Sequence, residues 1–265
     1  MNSNDEMRES VRTRYAEAAR GSNCSGSSFD SSGSGCCGGV ISVEDLSRTM
    51  GYSEDELAVL PEGANLGLGC GNTQAIASLN PGETVLDLGS GGGIDCFLAA
   101  RQVGASGKVI GVDMTPEMIA RARKNLASSG LQHAEFRLGE IEHLPVADQT
   151  VDVIISNCVI NLSPEKPQVF AEAYRVLKPG GRLAVSDMVA AVQLPTEIQK
   201  DAALYAGCMA GAATVTDLEA MLQATGFTEI QITPKDSRPL LKAWGADMTL
   251  EEAVFSANIQ AVRPR

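Results

Sequence analysis

Histidine is nearly missing from this chain of 265 residues, which holds only His133 and His143. A serine or cysteine nucleophile activated by a histidine base needs an imidazole beside it, so that class of mechanism has little to draw on. Basic residues are also in short supply, with 21 lysines and arginines against 33 aspartates and glutamates, a formal net charge of -12. Nucleic-acid binders present a basic face to the phosphates, so no nucleic-acid partner is expected and a small ligand is the better default. No window reaches the roughly 18 consecutive apolar residues that a membrane span requires, so no membrane partner is expected. The segment MNSNDEMRES is acidic and polar, unlike a secretory signal, which gives the expectation of a cytoplasmic protein. There is no C-x-x-C pair, and neither histidine has a cysteine neighbour at ligand spacing, so the usual structural zinc patterns fail.

Seven cysteines are present. In a cytoplasmic chain they are poor material for a disulfide framework and are better read as metal-type ligands or redox groups. With 44% hydrophobic residues the chain can bury one large core, with or without an appended subdomain. Residues 1–80 read as N-terminal helices, a mobile Gly/Ser tract over 21–39 and a glycine-rich loop around Cys70. Residues 81–190 read as a nucleotide-binding domain, and 191–265 as a C-terminal α+β region that completes the site. Ser42 and Ser53 each precede an acidic residue three positions on, the capping-box spacing, which predicts two short helices.

From residue 84, short apolar runs alternate with amphipathic stretches of helix length. This pattern predicts an α/β fold, a doubly wound parallel sheet covered by helices on both faces. The expected strands are Thr84–Leu88, Lys108–Met114, Ala134–Leu138, Val151–Asn157 and Arg182–Asp187. The expected helices are Ile94–Val103, Pro116–Ser129 and Pro164–Leu177, with Lys178-Pro179-Gly180-Gly181 as the turn into the fifth strand. Weaker signals predict a helix over Thr216–Thr225 and strands over Phe227–Ile232 and Ala253–Val262.

The first strand runs into Gly89-Ser90-Gly91-Gly92-Gly93 and a helix follows at once. Glycines there allow a sharp turn and let a ligand approach the main chain, although a plain strand-to-helix turn is the alternative. Asp113 ends the second strand, 24 residues after Gly89, where a carboxylate can accept both hydrogen bonds from an adenosine ribose. Nicotinamide cofactors use such an acid too. Asp87 would repel a pyrophosphate but suits a methionine ammonium, and only one nucleotide-binding half is visible, so S-adenosylmethionine is preferred.

The motifs ETVLDLGSGGG, VIGVDM and RVLKPGGRL together resemble the class I S-adenosylmethionine-dependent methyltransferases. The resemblance implies a Rossmann-like sheet of seven strands with the last antiparallel. It further implies cofactor contacts at Asp87, Gly89, Ser90, Gly91, Asp113 and Met114, an adenine pocket lined by Gly139, Glu140 and Ile141, and Asn157 reaching the methionine part.

Three cysteines outside the Gly/Ser tract stand in contexts that a bland core would not explain well: Cys70 in NLGLGCGN, Cys158 in SNCVINLS and Cys208 in YAGCMAGA. Cys158 ends the fourth strand at the carboxyl edge of the sheet, where open α/β folds bind ligands. Each could be a small buried hydrophobe, the commonest fate of a free cysteine, but three such loops suggest a shared soft ligand. NLGLGCGN, DLGSGGGIDCFLAA, VIGVDMTPEMI, FRLGEIEHLPV and SNCVINLSPEK together are similar to the bacterial arsenite methyltransferase family, over roughly residues 60–190. The family implies that Cys70, Cys158 and Cys208 bind trivalent arsenic as thiolates, that arsenite and methylated arsenicals are substrate and products, and that glutathione or thioredoxin serves as reductant. Thiolates suit a soft, lone-pair-bearing atom, and that lone pair can take a methyl without a general base. Cys36 and Cys37, with Cys24, sit in the Gly/Ser tract as accessory thiols or as an incidental exposed pair, and Cys96 reads as core. Thr73 departs from the family, where a proline commonly follows GLGCGN, and Tyr15 only loosely matches a tyrosine-bearing segment. Two alternatives stay open: a class I methyltransferase acting on another small molecule, and a non-catalytic thiol protein that sequesters metalloids.

Overall fold

The computed structural model describes residues 3–21, 42–244 and 253–265. The Gly/Ser tract beyond Gly21, with Cys24, Cys36 and Cys37, lies outside the described residues. The chain opens with helices α1 (Ser3–Arg20), α2 (Val43–Thr49), α3 (Glu54–Ala58) and α4 (Gln74–Ala77). The alternating part follows as β1 (Thr84–Leu88), α5 (Ile94–Val103), β2 (Lys108–Asp113), α6 (Pro116–Ser129), β3 (Ala134–Leu138), β4 (Val151–Asn157), α7 (Lys166–Val176) and β5 (Leu177–Ala190). Then come α8 (Thr196–Gln199), α9 (Ala202–Ala206), β6 (Ala213–Thr214), α10 (Val215–Thr225), β7 (Thr228–Pro234), α11 (Arg238–Ala243) and β8 (Val254–Val262).

The local chemistry explains the ends of these elements. Ser42 accepts from the Asp45 N–H, and Ser53 with Glu56 forms a full capping box, so both short helices start where the spacing predicts. Helix α6 carries Pro116 in its first turn and stops at Gly130 in the left-handed region.

The sheet runs β3-β2-β1-β4-β5-β8-β7, with β6 paired to β5 off that path. Strands β1 to β5 are parallel and β8 is antiparallel to both neighbours, which gives the expected seven-stranded order plus one two-residue strand. Alternation along the strands divides the core. Leu86, Leu88, Ile110, Val112 and Ile154 face α7 and α10, against Phe170 and Leu222. Val85, Val109, Val153 and Ile155 face α5 and α6, against Phe97 and Ile119. A third cluster, at the carboxyl end of the strands, gathers Val11, Met50, Tyr52, Met188 and the thiols Cys70, Cys158 and Cys208.

Several boundaries differ from the sequence reading. Strand β2 ends at Asp113, one residue short of Met114. The helix expected over Pro164–Leu177 begins at Lys166, behind a 3-10 turn over Ile160–Leu162. Lys178–Gly181 is not a turn ahead of the fifth strand but an excursion within it, because Leu177 pairs Val151 while Arg182 already pairs Val153. Beyond Asp187 the same strand continues to Ala190, where it pairs Thr214 on one side and Val254 on the other. Beyond residue 190, β7 and β8 extend the same sheet.

Candidate active site

A cleft with about 970 Å³ of free space, part of it open to solvent, lies at the carboxyl end of β1, β2 and β4. Its floor is the loop after β1. Gly89 and Ser90 donate their N–H groups to the Val112 carbonyl at 2.8 and 3.0 Å, which binds the loop to β2. Gly89 adopts φ +71°, and a Cβ there would fall 2.3 Å from Val159, so only glycine fits. Gly91, with φ +50°, has no protein atom within 4 Å of its would-be Cβ and lines the cleft, leaving room for a ligand.

Three carboxylates converge on this floor. Asp113 accepts from the Gly91 and Thr115 N–H groups at 2.9 and 2.8 Å and lines the cleft. Asp87 accepts the Cys96 thiol at 3.2 Å, so Cys96 does more than fill core. Asp95, in the first turn of α5, accepts the Tyr52 hydroxyl at 2.9 Å. Burial raises all three above the ordinary carboxylate range, and for Asp87 the nearby Asp95 and Asp113 charges raise it further. Buried like charges of this kind call for a cation. S-adenosylmethionine carries an ammonium and a sulfonium, and its ribose suits Asp113. The Ser90 hydroxyl, buried and without a partner among the described residues, adds an unused polar atom to the same floor. The residues present therefore fit this cofactor.

Of the remaining expected contacts, Met114 lines the cleft. Ile141 does too, together with Glu142, whereas Glu140 faces Arg12 of α1 at 3.3 Å and a Cβ on Gly139 would fall 2.7 Å from Pro145. Asn157 lines the cleft but spends its amide on protein: it accepts the Cys70 N–H at 2.9 Å and donates to the Gly71 carbonyl at 2.6 Å. Helix α1 covers one wall with Arg8, Val11 and Tyr15, and Arg8 pairs with Glu142 and Glu165.

The three loop cysteines, far apart in sequence, meet behind this cleft. Their exposures are 3% for Cys70, 3% for Cys158 and 6% for Cys208. Cys158 shares one buried cluster with Cys70 and Cys208, its carbonyl accepts the Cys208 thiol at 3.4 Å, and it alone of the three lines the cleft. Cys158 and Cys208 both have positive φ, 58° and 65°, a backbone that non-glycine residues adopt only under tertiary constraint. Burial, first, and both neighbouring thiols push the Cys158 thiol up. Cys208 is pulled down, chiefly by its neighbour Cys158 and also by Tyr15 and Asn161; its thiol donates to the Cys158 carbonyl at 3.4 Å, and the Tyr15 hydroxyl lies 3.6 Å from its sulfur. Cys70 stands 3.7 Å from the Ser186 hydroxyl, which also accepts from Lys235 at 2.7 Å. Among the described residues no three His, Cys, Asp or Glu side chains are drawn together tightly enough to hold a metal ion, so the three thiols share one buried cluster without forming a closed shell.

Sequence reasoning passed over Asp95, Tyr52, Glu142, Asn161 and Lys235. Asp95 had a legible signal, a charged residue in the first turn of an otherwise apolar helix directly after the glycine loop. The others come from loops and strands that only the tertiary fold brings here.

A methyltransferase domain family matches residues 79–226. An arsenite methyltransferase of Halobacterium salinarum is 53% identical over 98% of this chain and 67% of its own length. One from Aquipseudomonas alcaligenes is 42% identical over 84% of this chain and 62% of its own, so the chain spans about two thirds of these relatives. The crystal structure of an arsenic(III) S-adenosylmethionine methyltransferase from Chlamydomonas reinhardtii superposes with TM-score 0.59 at 31% identity, covering 83% of this chain and 73% of that one. A Haemonchus contortus phosphoethanolamine N-methyltransferase solved with S-adenosyl-L-methionine shares the fold, with TM-score 0.63 at 18% identity over 86% of this chain and 61% of that one.

Proposed function

Because the chain belongs to the arsenite methyltransferase family, we propose that it moves methyl groups from S-adenosylmethionine onto trivalent arsenic held by Cys70, Cys158 and Cys208. The observation that carries this reading is the place of Cys158, which accepts the Cys208 thiol on its carbonyl, packs in one buried cluster with Cys70 and Cys208, and also lines the cofactor cleft. Arsenite binds as each thiol proton leaves with one arsenic hydroxide as water, so three sulfurs replace three oxygens with no change of charge. When bound, S-adenosylmethionine supplies an electrophilic methyl that the arsenic lone pair takes as the sulfonium S–C bond breaks.

The protein's part is positioning. Asp87 and Asp95 would hold the ammonium and Asp113 the ribose, all three lining the cleft, and Cys158, with its positive-φ backbone, lines the same cleft. Holding the reacting atoms at roughly 3–3.5 Å supplies several kcal/mol of the barrier. No general base is required, in keeping with a chain that has two histidines. Each transfer oxidises arsenic by two electrons, and two thiols closing to a disulfide return them, which makes glutathione or thioredoxin the fitting reductant.

Incubation with arsenite, methyl-labelled cofactor and glutathione, followed by separation of the arsenic species, tests the proposal. Label in methylated arsenicals is expected. Arsenite left unmethylated by folded protein contradicts it.

A further inference from the structure

The cofactor floor and the Cys70 loop are joined by a run of hydrogen bonds through Asn157 and Tyr52, beside a longer direct contact from Asn157 Nδ2 to Asp95 Oδ2 at 3.5 Å. The Cys70 N–H donates to Asn157 Oδ1 at 2.9 Å. Asn157 Nδ2 donates to the Tyr52 hydroxyl at 3.0 Å, and that hydroxyl donates to Asp95 Oδ1 at 2.9 Å. The direction of the run is fixed. A flipped Asn157 amide would set its NH2 against the Cys70 N–H and its oxygen against the Gly71 carbonyl, which now accepts from Nδ2 at 2.6 Å. Every donor in the series therefore points toward the Asp95 carboxylate, and aligned hydrogen bonds in a buried site strengthen one another. Asn157 also fills the space under the loop, since a Cβ on Gly69 would fall 2.9 Å from its amide, and it directly precedes Cys158 in the chain.

We propose that Tyr52 and Asn157 are positioning residues that couple the two sites, so that a cation seated on Asp95 tightens the Cys70 loop and raises the affinity for arsenite. The proposal rests on the methyl-transfer reading above and adds to it an energetic link between cofactor and substrate. Asp95 faces both sides: it lines the cleft and takes the last hydrogen bond of the run. A cofactor ammonium holds its negative charge in place beside Asp87, and a full charge is the stronger acceptor for Tyr52. Tyr52 itself does not line the cleft and is 3% exposed, so its hydroxyl has no other partner to serve than Asp95 and Asn157.

Coupling between two ligands is reciprocal and can be measured as a ratio of affinities. Titration calorimetry of sodium arsenite into the full chain, with and without S-adenosylhomocysteine, reads it without turnover, because that ligand keeps the ammonium and has no methyl to give. The wild type is expected to bind arsenite at least about fivefold more tightly with S-adenosylhomocysteine present, and S-adenosylhomocysteine more tightly by the same factor with arsenite present. In Tyr52→Phe each ligand should still bind, while the enhancement falls below about twofold, since the ring is kept and only the link is cut. Asp95→Asn, which keeps an acceptor oxygen but loses the charge, should weaken S-adenosylhomocysteine and lose the enhancement as well, and it serves if Tyr52→Phe does not fold. A tyrosine that only supports the fold would lower the melting temperature and leave the ratio alone. Independent binding in the wild type, or an undiminished ratio in Tyr52→Phe, overturns the coupling and leaves the proposed function standing. Arsenite that fails to bind the wild type overturns both.

Discussion

Cys158 occupies a left-handed backbone at φ 58° and donates its N–H to the Ser186 carbonyl at 2.8 Å, so strand β5 holds the strained turn that aims its sulfur. Serine keeps that turn and removes the soft ligand. Cys158→Ser is therefore expected to lower arsenite turnover by about two orders of magnitude or more while S-adenosylhomocysteine affinity stays within about twofold, measured by product separation and by calorimetry. Asp113 sets a second expectation. Burial raises its carboxyl above the ordinary range, so on acidification it takes up a proton before exposed carboxylates do. Cofactor binding needs the anion, so affinity is kept above that raised value and lost as pH falls through it, and Asp87 and Asp95 act in the same direction. Asp113→Asn should weaken cofactor binding about tenfold or more and flatten its pH profile by one proton, which calorimetry across pH would record.

At the scale of elements, the loop between β1 and α5 works because it lies close against Val159 and β2. A Cβ on Gly89 would meet Val159 at 2.3 Å with φ already at +71°. Gly89→Ala should cost about 1–3 kcal/mol of stability and most cofactor affinity, read from a denaturant melt and from calorimetry. Elements with a strong period were legible from residues alone. Strands β1, β2 and β4 alternate apolar side chains to two covered faces, and Thr115, Pro116 and Gly130 bracket α6. The short pieces after Ala190 were not. Helices α8, α9 and α11 span four to six residues each, too short to show a period, and they form because the sheet edge and the thiol cluster give them something to pack on. The thiols were legible as candidates because Cys70 and Cys208 sit among glycines and alanines and Cys158 follows the fourth strand at the carboxyl edge of the sheet. Tyr52 and Asn161 were not, because their part depends on groups 43 and 26 positions away in sequence.

Across the whole molecule, the cofactor cleft and the thiols share a cover. Helix α1 is fastened by Arg8 to Glu142 and Glu165, by Arg12 to Glu140 and by Arg20 to Glu117, and it brings Tyr15 to within 3.6 Å of Cys208. Among the described residues no helix is long and apolar enough to cross a membrane. Arg8→Ala should loosen this cover and weaken S-adenosylhomocysteine binding about fivefold with little change in melting temperature, because the pairs it breaks lie at the edge of the cleft and not in the sheet core. All three sulfurs are buried, and in the proposed function arsenic must draw them together and fill the position between them. Arsenic K-edge X-ray absorption on arsenite-loaded protein reads that filling most directly. The account predicts three sulfur neighbours and no oxygen in the first shell, with one sulfur lost in Cys158→Ser. An arsenic bound by one sulfur with oxygens beside it, unchanged in that variant, would contradict it.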